Sequence, residues 1–598
     1  MLGFASLLSR LKNTPRFLLV ALFFAAACSL LPVWIGRYLP LLDYPGHLAN
    51  LFIWRHLSDP AYGFSRYYEP NATLLPYWVQ FGLEWTLSVV VSEETAQKLF
   101  LSLSIAGLPL SVALYAKQLG RDPWVAVLAF PLAWNMNVSH GFLAFIGGLP
   151  ILFLALRSLH AHMSSPSLKS FVCAALWGIL VYFSHILLLG VYVCVGSATA
   201  LLFVRPFSLQ RLLVAPLPVF PSVALSIWAQ FFANSQRNNL PLQGQGLRAF
   251  VGVYSNFWGN LEILQTWTLN TLPETRDETL YSLIWLSLWL LLLLTSCLRN
   301  SRSPGSVGFS WRTLFGPAEL GFVIVAILFF TLPRSLLKPF YWFAINRRIA
   351  VVLAVFALFL IRGSILDTVS HRVIVLISLA FSILYTTDIA AHYFRFNQRL
   401  KPYETLMQHV PRGKQVLPIM LSIRDPDSLV NCFNQWGSYV QIRQGGFMAP
   451  VFPVEFPLKQ KKVQTPAVLP WDAQHSFRFE LHERGWDYFL VQGKQHKSLF
   501  AQAPDSIRLV EEIGNWALYE KVIPKPPIQA PKSFGRFRFV PKPASVPDGE
   551  EASQKWRQHV AARPMPRPRR EALWILLRDK WDQHHRRAFL PPRNPRPK

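Results

Sequence analysis

The stretch FLLVALFFAAACSLLPVWI (17–35), followed after Gly36-Arg37-Tyr38-Leu39 by PLLDYPGHLAN (40–50), decides how the rest of the chain is read. Residues 17–35 carry no charge, and a helix of that length reaches about 28 Å, close to the thickness of the bilayer's hydrocarbon core. Arg10, Lys12 and Arg16 precede the run, and no small-residue cleavage pattern follows it, so it is expected to remain as a first spanning helix. The next stretch then emerges on the far side with a carboxylate, Asp43, and an imidazole, His47, one helical turn apart.

The remainder repeats the first pattern. Of 598 residues, 52% are hydrophobic and 15% charged, whereas soluble chains carry about a quarter charged residues. Runs such as Leu99–Ala116, Ile349–Ile361 and Val373–Ile389 are nearly free of charge. Inside lipid a backbone must satisfy its own hydrogen bonds, so such runs are expected to be helices. The net charge of +27 comes largely from loops beside those helices and from the tail. That distribution fits the positive-inside rule and anionic headgroups, and argues against nucleic acid as a partner. Cys28, Cys173, Cys194, Cys297 and Cys432 suggest neither a disulfide framework nor a metal-ligand spacing.

Charge in the short loops sets the threading. With the N-terminus cytoplasmic, Lys117–Asp122, Arg157–Lys169, Arg205–Arg211, Arg299–Arg312 and Arg362–Arg372 all fall on the cytoplasmic side if Leu74–Val91 lies along the outer surface. Gln80 and Glu84 within that run favour the same choice. The expected architecture is mostly α, a polytopic membrane protein of about eleven spans. These fall near 17–36, 98–117, 123–139, 141–159, 170–186, 187–204, 211–231, 279–298, 316–333, 349–362 and 372–391. The membrane core is expected over 1–392, with outer loops at 37–97 and 232–278. A small extracytoplasmic α/β domain is expected over 393–523, with short strands and a tight hairpin at Ile513-Gly514-Asn515-Trp516. The tail, 524–598, is rich in Pro and Arg and cannot bury a core, although 571–589 has the pattern of an amphipathic surface helix.

Ionisable residues near the outer mouth of the bundle are the candidates for chemistry. Asp43 suits a general base, with His47 beside it; Asp43 equally suits a helix cap before Pro45. Asp59 and Glu69 lie farther along the same loop. Arg347 and Arg348 are cations on the side the charge rule disfavours; phosphate binding would account for them, and so would snorkelling to headgroups. His140 and His185 lie in outer turns, where each is either a site residue or a neutral histidine bonded to a helix carbonyl.

A first span, a long outer loop that opens with an acid, a surface helix, many further spans and a C-terminal domain on the same face together resemble the GT-C superfamily of membrane glycosyltransferases. The likeness covers residues 10 to about 522, and Asp43-Tyr44-Pro45-Gly46-His47 is similar to an Asp-Tyr-Pro-Asn-His stretch of bacterial membrane proteins of this type. The chain has no Trp-Trp-Asp sequence and no clean Asp-Glu pair, unlike the oligosaccharyltransferases and protein mannosyltransferases respectively. The resemblance implies an inverting transferase in a bacterial inner membrane. It would move a sugar from a polyprenyl-phosphate-type lipid donor to a cell-envelope acceptor on the outer face. The resemblance also implies that the first-loop acid, Asp43, acts as base or holds a divalent metal; the lipid phosphate left behind needs cations, for which Arg347 and Arg348 are the candidates by position. Partners are then the lipid-linked donor and membrane lipids. A transporter or flippase for lipid-linked glycans, or a non-catalytic scaffold, is the alternative; a transporter would need a polar path to both faces.

Overall fold

The computed structural model describes residues 16–71, 74, 76–203, 214–237, 251–301, 315–338, 342–447, 457–461, 477–501 and 504–522. The expected surface helix at 571–589 lies outside the described residues. The helices that matter here are α1 (Arg16–Trp34), α2 (Tyr44–Arg55), α3 (Trp78–Leu87), α4 (Glu93–Gln118), α5 (Leu143–Ser164), α6 (Leu168–Ser184) and α7 (Ile186–Phe203). They continue with α8 (Phe220–Arg237), α9 (Phe257–Thr268), α10 (Ser282–Ser301), α11 (Pro317–Thr331), α12 (Ile345–Leu358), α13 (Val369–Arg399) and α14 (Gly437–Gln444).

Among the described residues six helices are long and apolar enough to cross a membrane by themselves. Several shorter apolar helices stand beside them, α6 and α11 among them. Large apolar side chains such as Val20, Phe23, Leu103, Leu294 and Leu384 are exposed on the bundle's outside, as a surface solvated by lipid requires. The chain is a multi-pass membrane protein. Surface helix α3 has 10 residues, a length of about 15 Å, half of what a span needs.

Nine of the eleven expected spans are each a continuous helix, the one expected at 211–231 is helical from Phe220 after a 3-10 turn at Leu217–Val219, and the one expected at 123–139 is broken. A 3-10 turn over Pro123–Leu128 passes into one α-turn, Ala129–Leu132, and a second short turn, Met136–Ser139, follows. Pro131 has no N–H to continue the ladder. The Asn135 side chain instead accepts from the Asn137 N–H at 3.0 Å and donates to the Leu132 carbonyl at 2.9 Å. Such a break is tolerated at membrane depth because protein surrounds it: Trp134, Asn135 and Asn137 are all fully buried. The segment still runs from end to end of the bundle. The Asp122 carboxylate accepts from the Ile365 N–H at 2.8 Å at one end, and the Asp43 N–H bonds the His140 carbonyl at 3.0 Å at the other. The Asp122 end is tied by Glu319, which pairs with Arg121 at 2.6 Å and with Arg362 at 2.5 Å.

At the Asp43 end sits the C-terminal domain. The strands are β1 (Tyr68–Pro70), β2 (Val251–Val253), β3 (Ser335–Lys338), β4 (Val416–Met420), β5 (Leu458–Gln460), β6 (Tyr488–Gln492), β7 (Ile507–Ile513) and β8 (Trp516–Lys521). Four of them form a mixed sheet in the order β4-β6-β8-β7, with β4 and β6 parallel and the β7–β8 hairpin closing at Ile513 and Trp516. Gly514 has φ +62°, the left-handed value such a tight turn demands.

The first outer loop is part of this domain's core. Ala49, Ile53, Phe64 and Tyr68 pack with Leu417, Ile419, Phe489 and Val491, and β1 pairs antiparallel with β5. Helix α13 runs unbroken into the domain, where Arg399 pairs with Asp425 and Asp427 and His392 Nδ1 meets Asp427 at 2.7 Å.

Candidate active site

Residues 36–43 are held in place from three sides before α2 begins. The Asn397 side chain accepts from the Tyr38 N–H at 2.9 Å and donates to its carbonyl at 2.7 Å, and Ser428 Oγ donates to the Pro40 carbonyl at 3.2 Å. The Leu42 and Asp43 N–H groups both donate at 3.0 Å, to the Ser139 and His140 carbonyls. Gly141 closes this contact: at φ +71°, an added Cβ would lie 2.8 Å from the Tyr44 nitrogen and 2.9 Å from that of Asp43.

Asp43 stands at the N-cap of α2, yet its side chain makes no capping hydrogen bond. Its Oδ1 instead accepts from Gln435 Nε2 at 2.6 Å. Burial pushes the Asp43 carboxyl up to about 8, with the Arg348 guanidinium opposing the rise. His47, one turn on, hydrogen-bonds the Gly141 backbone, and burial pulls its imidazole down to about 4, so it is neutral at physiological pH.

Arg348 is 9% exposed. Its Nη1 donates to His185 Nε2 at 2.9 Å, and its guanidinium carbon lies 3.9 Å from the Phe142 ring centroid. Its Nε is buried with no hydrogen-bond partner among the described residues. Among the described residues no carboxylate hydrogen-bonds this guanidinium, which faces an imidazole and a ring. His185 is buried among Tyr77, Phe145 and Trp342. Arg347 lies over Trp267 at 5.4 Å and Phe343 at 5.6 Å, and His140 stacks on the same Trp267 at 5.0 Å.

Among the described residues two non-glycines have a left-handed backbone, Tyr77 at φ 88° and Ala344 at φ 59°. Tyr77 edges onto His185, and Ala344 immediately precedes the helix that bears the arginines. Strain of this kind costs roughly 1–3 kcal/mol per residue and gathers at functional sites.

The structure brings Asp43, His47, His140, His185, Arg347 and Arg348 to one end of the bundle, and leaves Asp59 and Glu69 elsewhere. Asp59 accepts from the Ala61 N–H in the turn beyond the far end of α2, and Glu69 on β1 pairs with Lys459 at 3.5 Å. No group of three His, Cys, Asp or Glu side chains that could hold a metal ion occurs among the described residues. Gln435 and Phe142 were not singled out by sequence, because nothing local marks either one.

No protein-family model matches the chain, and no curated protein matches it by sequence. Among solved structures it is similar to ArnT from Cupriavidus metallidurans bound to undecaprenyl phosphate. The TM-score is 0.50 at 10% identity, over 84% of this chain and 97% of that one. The same protein in the apo state aligns over the same shares at 13% identity, with a TM-score of 0.47. The likeness is one of fold, and it takes in most of both chains.

Proposed function

We propose that this protein is an inverting glycosyltransferase that takes a sugar from a polyprenyl-phosphate-type donor at the outer face of a bacterial inner membrane. The observation that carries the reading is Arg348: a buried guanidinium with an unmet N–H, at the same end of the bundle as Asp43, whose carboxyl its charge influences. In the reaction the acceptor hydroxyl oxygen bonds to the sugar's C1 while the C1–O bond to the donor phosphate breaks. The hydroxyl proton passes to Asp43, and the departing phosphate keeps the bonding electrons under the Arg348 guanidinium, whose fork matches phosphate oxygens. A single displacement of this kind inverts the configuration at C1. ArnT, whose fold this chain shares, has been crystallised with undecaprenyl phosphate, which supports a lipid-phosphate ligand here.

The interior between the two ends is filled by side chains such as Tyr115, Phe153 and Phe356, all fully buried. That packing supports chemistry at one end over carriage of a glycan across the membrane.

The test is donor binding. Undecaprenyl phosphate titrated into the reconstituted protein should bind Arg348→Ala roughly 10- to 100-fold more weakly than wild type, the loss expected for a charge-assisted hydrogen bond. Lys at 348 should restore part of the affinity, since a point charge lacks the fork. Wild-type affinity in Arg348→Ala would refute the assignment of the phosphate to this side chain.

A further inference from the structure

Gln435 belongs to the C-terminal domain, yet its amide reaches Asp43 across 392 positions of sequence. It is 3% exposed, and its Oε1 is buried without a hydrogen-bond partner among the described residues. The amide nitrogen is therefore met by Asp43 while the amide oxygen is left unmet, which is unfavourable in a buried group. A side chain kept for stability alone is poorly served by that arrangement.

The turn that presents the amide is rigidly backed. Phe433 donates its N–H to the Ile423 carbonyl at 3.1 Å. The next residue, Trp436, is buried against Tyr38 at 5.3 Å, Tyr403 at 5.2 Å and Phe433 at 5.2 Å. Helix α14 follows at once and packs on α2, the helix that Asp43 begins.

We propose that Gln435 is a positioning residue for transfer, an amide through which the docked C-terminal domain holds Asp43 Oδ1 and leaves Oδ2 to the acceptor hydroxyl. An ionised carboxylate accepts only, so the amide nitrogen must face it, and one oxygen is thereby committed before substrate arrives. The acceptor proton then meets a carboxylate in a single orientation, the condition under which small displacements cost about 10²-fold in rate. The inference rests on the transferase reading above.

A double-mutant cycle on the reconstituted full-length protein tests it. Gln435→Leu keeps the side chain's bulk and removes the donor. Its kcat should fall roughly 10- to 100-fold, with KM for the lipid donor and affinity for undecaprenyl phosphate within about twofold of wild type. In an Asp43→Asn background the same change should cost little further, because the group it positions is already disabled.

Equal fold-losses in the two backgrounds would overturn the proposal, and so would a loss confined to KM. Thermal melting of the four proteins separates misfolding from mispositioning: a Gln435→Leu protein that fails to melt cooperatively is replaced by Gln435→Glu. Glu keeps the shape but sets a second carboxylate against Asp43, which disfavours its ionisation and must move the rise of activity to higher pH; a profile that coincides with wild type overturns the proposal. A wild type silent towards every polyprenyl-linked sugar offered refutes the transferase reading itself, and this role with it. An active wild type with an additive cycle refutes only the role of Gln435.

Discussion

Changing Asp43 to Asn removes the ability to take up a proton and almost nothing else, which makes it the sharpest test available in one side chain. Asn and Asp cap helices about equally well, and the Asp43 side chain makes no capping bond in any case. Turnover should drop by roughly 10²–10⁴, the range for loss of a general base, while melting and lipid binding stay near wild type. Activity within a few-fold of wild type would remove Asp43 from the mechanism. The same carboxyl fixes a pH dependence. Its folded pKa is raised to about 8, so the proton leaves only as pH climbs past that value. A base works deprotonated, so kcat/KM should rise between about pH 7 and pH 9 and then level off. His47, held down to about 4, adds no inflection in that window. A profile flat from pH 6 to pH 9 would show that the rate does not depend on this titration.

Gly141 joins the broken span to the loop that carries Asp43, and both its positive φ and its 2.8 Å approach to backbone forbid a side chain. Gly141→Ala should therefore lower the melting temperature and the transfer rate together. The backbone conformation alone costs about 1–2 kcal/mol for a residue with a Cβ. An alanine variant with unchanged melting and rate would show that the contact is dispensable.

The same region marks where sequence reading reached its limit. Apolar runs announce spans because lipid leaves the backbone no choice but helix, so nine segments were legible as continuous helices. The break at 123–139 was not, since average hydropathy is blind to a missing N–H at Pro131 or to the side-chain bonds of Asn135. Helix α3 was legible for a different reason than its own packing gives. Gln80 and Glu84 are buried and bonded to each other at 3.2 Å, while Trp85, Val89 and Val90 at and beyond its end are exposed. At the site, Asp43 could be found because its signal is local; Gln435 could not, because the contact exists only after folding.

Over the whole molecule the charge distribution makes a claim about sidedness. Lys117, Arg121, Arg362 and Arg372 belong to the end away from the C-terminal domain, which the positive-inside rule assigns to the cytoplasm. Reporter fusions after residues 165 and 367 should report cytoplasm, and fusions after 60 and 450 the outer compartment. A cytoplasmic signal at 60 would invert the threading and place Asp43, Arg348 and Gln435 on the wrong side for an extracytoplasmic transferase.

Strand β1, near the start of the chain, finds its partner β5 only after almost the whole membrane core lies between them, and Gln435 reaches Asp43 over 392 positions. At 5–20 residues per second a ribosome needs about 20 to 80 s to cover that interval. Throughout it, the segment bearing Asp43 is already made while its far partners are unsynthesised. On the proposed reading the nascent protein would be inert by construction, and the contact between Asp43 and Gln435 can form only once the last globular part has been made and has folded.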